Sequence, residues 1–132
     1  MKRLLILTII ISFISVLFAK TTFEYFEGKS ESEKVVLNWK TIKEESLKEF
    51  NVERKSAVGD YLTIGTVLPK GNNSFYTFTD ETVFKSTSSV YKYKIKIIDT
   101  NGSYEYSNEL TIIHGGLSSV KRTWGSIKAM FR

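Results

Sequence analysis

Few side chains in this 132-residue chain could do covalent chemistry. There is no cysteine, which excludes disulfides and thiol metal sites. There is one histidine, His114, so no multi-histidine metal cluster can form. A Ser–His–Asp arrangement would have to use His114, and no nucleophile elbow accompanies it. Its place after the last strand marks His114 as an exposed linker residue. Glu44, Glu45 and Glu49 crowd one short segment. Paired carboxylates do acid–base work only in a cleft that shifts their pKa values. In the solvated loop expected here they are ordinary surface charge. No GxGxxG or GxxxxGK(S/T) pattern supports nucleotide binding. These residues point to a non-catalytic protein with no cofactor and no metal.

A different kind of chemistry, adhesion to a surface, is written into the C-terminal residues 117–132 (LSSVKRTWGSIKAMFR). Ser118 or Ser119 could cap a helix. At helical spacing Val120, Trp124, Ile127 and Phe131 share one face, and Lys121, Lys128 and Arg132 cluster on its flank. Gly125 costs about 1 kcal/mol of helix propensity. So short a cationic amphipathic helix needs a surface to lie on. Three surfaces fit: its own domain, a groove in a partner protein, or an anionic membrane with Trp124 and Phe131 in the interface. Val120, Lys121, Trp124, Ile127, Lys128, Phe131 and Arg132 are the expected partner- or membrane-binding residues.

The opposite end has the anatomy of a secretory signal peptide. Met1-Lys2-Arg3 is positive, Leu4 to Phe18 is apolar, and Ala19 supplies the small residue. The apolar run is shorter than the ~20 residues of a spanning helix, so cleavage and export are expected. Lys and Arg number 19 against 14 Asp and Glu, but the excess sits at both termini. Residues 20–118 hold 13 basic and 14 acidic groups. A nucleic-acid footprint should lie on the folded face, so no nucleic-acid partner is expected. The tripeptides Asn72-Asn73-Ser74 and Asn101-Gly102-Ser103 match a glycosylation acceptor only for a eukaryotic secretory route.

The elements between the ends are strands. Thr22–Glu27 is aromatic-rich. In Lys34–Lys40, Val35, Leu37 and Trp39 alternate with polar or smaller residues, which predicts a half-buried strand with Trp39 in the core. Thr41–Lys48 reads as a loop with at most one helical turn. Strands follow at Glu49–Lys55, at Tyr61–Val67 with interior Gly65 marking a bulge or close approach, and at Phe75–Thr79. Tyr91, Tyr93, Ile95 and Ile97 then alternate with Lys92, Lys94 and Lys96, so one face is apolar and the other cationic. Asn101-Gly102 tolerates a tight hairpin turn. A two-residue loop would pair Thr100 with Ser103. Tyr106, Leu110 and Ile112 would then lie opposite Ile97, Tyr93 and Tyr91, with Lys94 facing Glu109. That register places Asn108 on the buried side opposite Ile95, so a longer loop with a strand starting near Ser107 also fits. Seven short strands with no crossover helix argue an all-β antiparallel sandwich.

Taken in order, Leu37-Asn38-Trp39, Phe50-x-Val52-Glu53-Arg54, Tyr61-x-x-Ile64-Gly65-Thr66-Val67, Tyr76-x-Phe78-x-Asp80, Tyr91-x-Tyr93-x-Ile95-x-x-Ile98-Asp99-x-Asn101-Gly102 and Tyr106-Ser107 resemble a fibronectin type III-like domain. The likeness is to domains of secreted and cell-surface proteins of Bacteroidetes-type bacteria, and it covers Thr22 to Ile113. It implies a seven-stranded Ig-like sandwich over residues 20–114, between a signal peptide (1–19) and a Gly-Gly linker with the tail (115–132). It implies that Tyr91 bonds back to nearby backbone as the family's tyrosine corner, and it implies no catalysis. Two departures stand out: the domain is alone rather than in an array, and it lacks an Arg-Gly-Asp tripeptide. The expected function is an exported binding module that engages an envelope or extracellular protein partner through the tail. The alternatives are a peripheral membrane protein held by the tail, and a carbohydrate-binding module with Phe23, Tyr25, Phe26, Tyr61, Phe75 and Tyr76 as candidate aromatic contacts.

Overall fold

The computed structural model describes residues 20–83 and 90–114. The signal-peptide stretch and every expected tail residue, Val120, Lys121, Trp124, Ile127, Lys128, Phe131 and Arg132, lie outside the described residues.

The described chain is all-β. Its strands are β1 (Thr22–Glu31), β2 (Lys34–Lys43), β3 (Leu47–Ser56), β4 (Leu62–Val67), β5 (Phe75–Asp80), β6 (Val90–Asp99), β7 (Tyr104–Tyr106) and β8 (Leu110–Ile113). They form two antiparallel sheets, β1–β2–β5 and β4–β3–β6–β7, with β8 also paired to β6. Two strands run further than their local composition suggests. β1 continues through Gly28 to Glu31, and β2 continues through Thr41 to Lys43. The Thr41–Lys48 segment therefore has no helical turn; Ser46, at φ 52°, makes the corner between β2 and β3. Pairing with a neighbour overrides weak local propensity in such stretches.

Period-two alternation sets the inner faces. Val35, Leu37 and Trp39 on β2 and Tyr91, Tyr93, Ile95 and Ile97 on β6 are buried, with half-buried residues between them. Trp39 stacks on its cross-strand partner Tyr76 at 5.2 Å, and both rings meet Phe50 edge-on from the other sheet, at 5.7 and 5.1 Å. Edge-to-face pairs of this kind add about 0.5–1.5 kcal/mol beyond the area they bury. Gly65 pairs with Val52 at a register shift, and a Cβ there would collide with the Phe78 ring of the facing sheet. The glycine is thus both a bulge and a close approach.

A polar clamp completes the join between the sheets. Arg54 on β3 reaches Asp80 on β5 at 2.6 Å, Tyr93 Oη on β6 donates to the same carboxylate at 2.9 Å, and Thr82 donates to it from N and Oγ1. Burial pushes the Asp80 carboxyl up, but the hydrogen bonds from Thr82, Arg54 and Tyr93 outweigh it and hold the group below its ordinary value. Burial, then the charge of Asp80, raises Tyr93 far above the phenol range, so its proton stays.

Candidate functional site

The cationic face of β6 becomes a site because of how the hairpin closes. Asp99 N donates to Ser103 O at 2.9 Å, and Gly102 N donates to Asp99 O at 3.0 Å with Gly102 at φ 86°. The loop is therefore three residues, Thr100-Asn101-Gly102, and Ile98, Ile97 and Lys96 pair with Tyr104, Glu105 and Tyr106. Tyr106 sits opposite Lys96 rather than Ile97. A slip of one residue moves a side chain to the other face of a sheet, so Tyr104 and Tyr106 are exposed. Ser107 then resets the register. Its Oγ accepts from Ile95 N at 2.8 Å, and its own N donates to Ile95 O at 2.9 Å. Beyond it Tyr93 pairs with Leu110 and Tyr91 with Ile112, as the alternation predicts. Asn108, the residue the two-residue loop would bury, is exposed.

On the outer face of the second sheet lysines and tyrosines now interleave. The Lys94 ammonium lies between two rings, 3.8 Å from the Tyr106 centroid and 4.0 Å from that of Tyr61. Lys96 lies 4.1 Å over Tyr104, Lys55 lies 5.0 Å over Tyr61, and Tyr104 meets Tyr106 edge-on at 5.7 Å. Each such cation–ring contact contributes about 0.5–1 kcal/mol at an exposed site. The expected Lys94–Glu109 pair is not formed. Glu109 binds Lys92 at 2.8 Å and accepts from the Tyr61 hydroxyl, while Lys94 faces Glu53 at 3.7 Å. The hydrogen bond from Lys92, then that from Tyr61, holds the Glu109 carboxyl below its ordinary value. Burial, then Glu109, pushes the Tyr61 phenol up. Among the described residues no carboxylate forms an ion pair with Lys55 or Lys96. Glu49 lies beside Ile98 at the far end of the face.

The six aromatic residues singled out for carbohydrate contact do not gather on one face. Phe26 and Tyr76 are core residues and Phe23 packs against the core. Tyr25 and Phe75 are exposed on the first sheet, while Tyr61 belongs to the lysine–tyrosine face. Tyr104 and Tyr106 escaped sequence reasoning, because nothing local distinguishes a two-residue from a three-residue loop at Asn101-Gly102.

Three residues expected to be bland have defined partners. Glu44 accepts from Thr41 Oγ1 at 2.6 Å, from Gly71 N at 2.8 Å and from the Tyr76 hydroxyl, and its own N donates to Asn72 Oδ1 at 2.7 Å. It ties the β2–β3 turn to the β4–β5 loop. Burial, then this carboxylate, pushes Tyr76 up to about 12. Glu45 pairs with Lys43 at 2.6 Å. His114 is buried rather than exposed, and its Nδ1 lies 2.8 Å from Ser30 Oγ on β1. No group of three or more His, Cys, Asp or Glu that could hold a metal ion occurs among the described residues.

No protein-family model matches the chain. No curated protein matches it either. Among solved structures it is similar to pectate lyase Pel3 from Pectobacterium carotovorum, with 22% identity and a TM-score of 0.51 over 70% of this chain and 26% of that one. It is also similar to pectate lyase PelI from Erwinia chrysanthemi, a structure in complex with tetragalacturonic acid, with 21% identity and a TM-score of 0.51 over 70% of this chain and 28% of that one. The chain spans about a quarter of the length of these lyases. At this identity the likeness is one of fold alone.

Proposed function

We propose that this chain is an exported, non-catalytic interaction module on a fibronectin type III-like, Ig-type sandwich. It engages an acidic protein partner in the envelope or outside the cell through the lysine–tyrosine face of its second sheet. The strand order β1–β2–β5 against β4–β3–β6–β7 supports the fold half, as does Tyr91 Oη, which donates to the Val83 carbonyl at 3.4 Å. The observation that carries the functional half is Lys94 held between Tyr61 and Tyr106, with Lys96 and Lys55 beside it. Tyrosines offer rigid contact area at low entropy cost. Lys55 and Lys96, which pair with no carboxylate among the described residues, would steer an acidic surface into register. The test is chemical cross-linking of the exported chain to an envelope fraction. A partner captured by the wild type should be lost from Lys96→Glu and from Tyr106→Ala, and more weakly captured as salt rises. Equal capture by both variants overturns the proposal.

A second reading, a carbohydrate-binding module, is favoured by the row of half-buried Tyr61 and exposed Tyr104 and Tyr106. Retardation of the wild type in gels containing polysaccharide, abolished by Tyr106→Ala, would establish it instead.

A further inference from the structure

Strand β5 borders the first sheet, and among the described residues it pairs with β2 alone. Which of its backbone groups turn outward follows from the bond at its start. Thr41 N donates to Ser74 O at 3.0 Å, one step before Lys40 pairs with Phe75. Bonded and non-bonded pairs alternate along an antiparallel ladder. Trp39–Tyr76, Leu37–Phe78 and Val35–Asp80 are therefore the bonded pairs, and Phe75, Thr77 and Thr79 direct N–H and C=O away from β2. The Phe75 carbonyl accordingly accepts from Lys70 Nζ, at 2.8 Å. The side chains of Phe75, Thr77 and Thr79 are exposed too, while Tyr76 and Asp80 are buried.

An open edge is a template for another strand, and native edges are blunted by charges, prolines, bulges or shortness. The other borders carry such devices. β1 holds Glu24, Glu27, Lys29 and Glu31, and its second half lies against β8, where a Cβ on Gly28 would meet Ile112. β4 is interrupted by the register shift beside Gly65. β7 and β8 are short and are reset at Ser107. Phe75–Thr79 has no charge, proline or glycine, and its register with β2 has no shift.

Self-complementarity selects the occupant. A two-fold axis through Thr77 sets that residue against Thr77 of a second copy, and Phe75 against Thr79. All three residues point their backbone groups at the edge, so each N–H meets a C=O. Phe75 O keeps Lys70 as well, since a carbonyl has two lone pairs. Thr–Thr pairs are favourable across strands, and no like charges meet. The same register carries Glu81 of the second copy past Phe75 towards Lys70, twice by symmetry. Lys70 and Glu81 are both exposed, and neither forms an ion pair among the described residues.

We propose that β5 is a dimerisation edge, where two copies pair antiparallel about Thr77 and join their three-stranded sheets into one. This goes beyond the binding reading and is independent of it, because the lysine–tyrosine face belongs to the other sheet. A dimer presents that face twice, which adds avidity towards a partner with repeated sites.

The test is sedimentation velocity of the chain spanning residues 20–132 over a range of concentrations. A monomer–dimer equilibrium is expected. Thr77→Lys sets two ammonium groups opposite each other and should weaken it by roughly fivefold or more. Lys70→Glu should weaken it too, and Lys70→Glu with Glu81→Lys should restore it. Thr66→Lys, on the edge strand of the other sheet, should not change it. A chain that stays monomeric at millimolar concentration overturns the proposal. So does a dimer that Thr77→Lys leaves intact or that Thr66→Lys breaks. Should Thr77→Lys not fold, Thr77→Cys in this cysteine-free chain gives a second measurement. Directly opposed residues of a bonded pair have Cα atoms about 5.5 Å apart, within the disulfide range of about 4.4–6.8 Å. Thr77→Cys should therefore oxidise to a covalent dimer, and Thr79→Cys, which faces Phe75, should not. Equal cross-linking by the two overturns the proposal.

Discussion

Asp80 shows what one buried charge does in this protein. It lies inside the fold with three donors, Arg54, Tyr93 and Thr82, around two oxygens. Removing one partner of a buried ion pair strands the other charge, and for Asp80→Asn a loss of about 3 kcal/mol is expected in urea unfolding. The effect has a definite pH sign. The folded value is depressed below the ordinary 3.8. The contribution is therefore fully present above that value and is lost as pH falls through the depressed one. Urea melts run from neutral pH downwards should show the wild-type advantage over Asp80→Asn shrinking only in that acid window. Gly65 makes a second test. Gly65→Ala drives a methyl group into the Phe78 ring, and overpacking of that kind costs about 1–3 kcal/mol, read as a lower Tm. Gly65 was legible as a special position because a glycine inside a strand gives up entropy and packing, a cost offset where the backbone bends or a neighbour needs the room. The Arg54–Asp80–Tyr93 clamp was not legible, since its members lie on three strands whose neighbours are set by long-range pairing.

At the scale of the element, the β6–β7–β8 hairpin turns on two local devices. The three-residue loop ending at Gly102 shifts β7 by one residue, and Ser107 shifts β8 back. The first device exposes Tyr104 and Tyr106; the second keeps Leu110 and Ile112 against the core. Ser107→Ala leaves the Ile95 amide without its side-chain acceptor. A cost of about 1–2 kcal/mol is expected, with faster hydrogen exchange at Ile95 than at neighbouring β6 amides. Unchanged exchange there would mean that backbone geometry alone sets the reset. The alternation of β6 was plain from its sequence, because Tyr–Lys–Tyr–Lys–Ile–Lys–Ile admits one buried face. The register of its partner was open by one residue, and that one residue decides which tyrosines meet solvent.

For the whole molecule, the two outer faces carry different surfaces, and a surface change far from the core should separate stability from binding. Lys96→Glu should cost about 1 kcal/mol and Tyr106→Ala about 1–2 kcal/mol in thermal unfolding, the worth of the ring contacts each removes. Both should still lose the partner. A large drop in Tm for either would make the lysine–tyrosine ladder a stabilising device rather than a contact surface. Residue types and their order were enough to establish the all-β class, the approximate places of most strands, the buried faces of β2 and β6, and Trp39 as a core residue. They also established the absence of thiol chemistry. These follow from side-chain type and a two-residue period, which are local. The rest came from tertiary pairing: the strand order, the one-residue shift that turns Tyr104 and Tyr106 outward, the burial of His114 against Ser30, and the role of Glu44 as a tie between loops. Each depends on which backbone groups meet across the fold, and no periodicity within a strand encodes its partner.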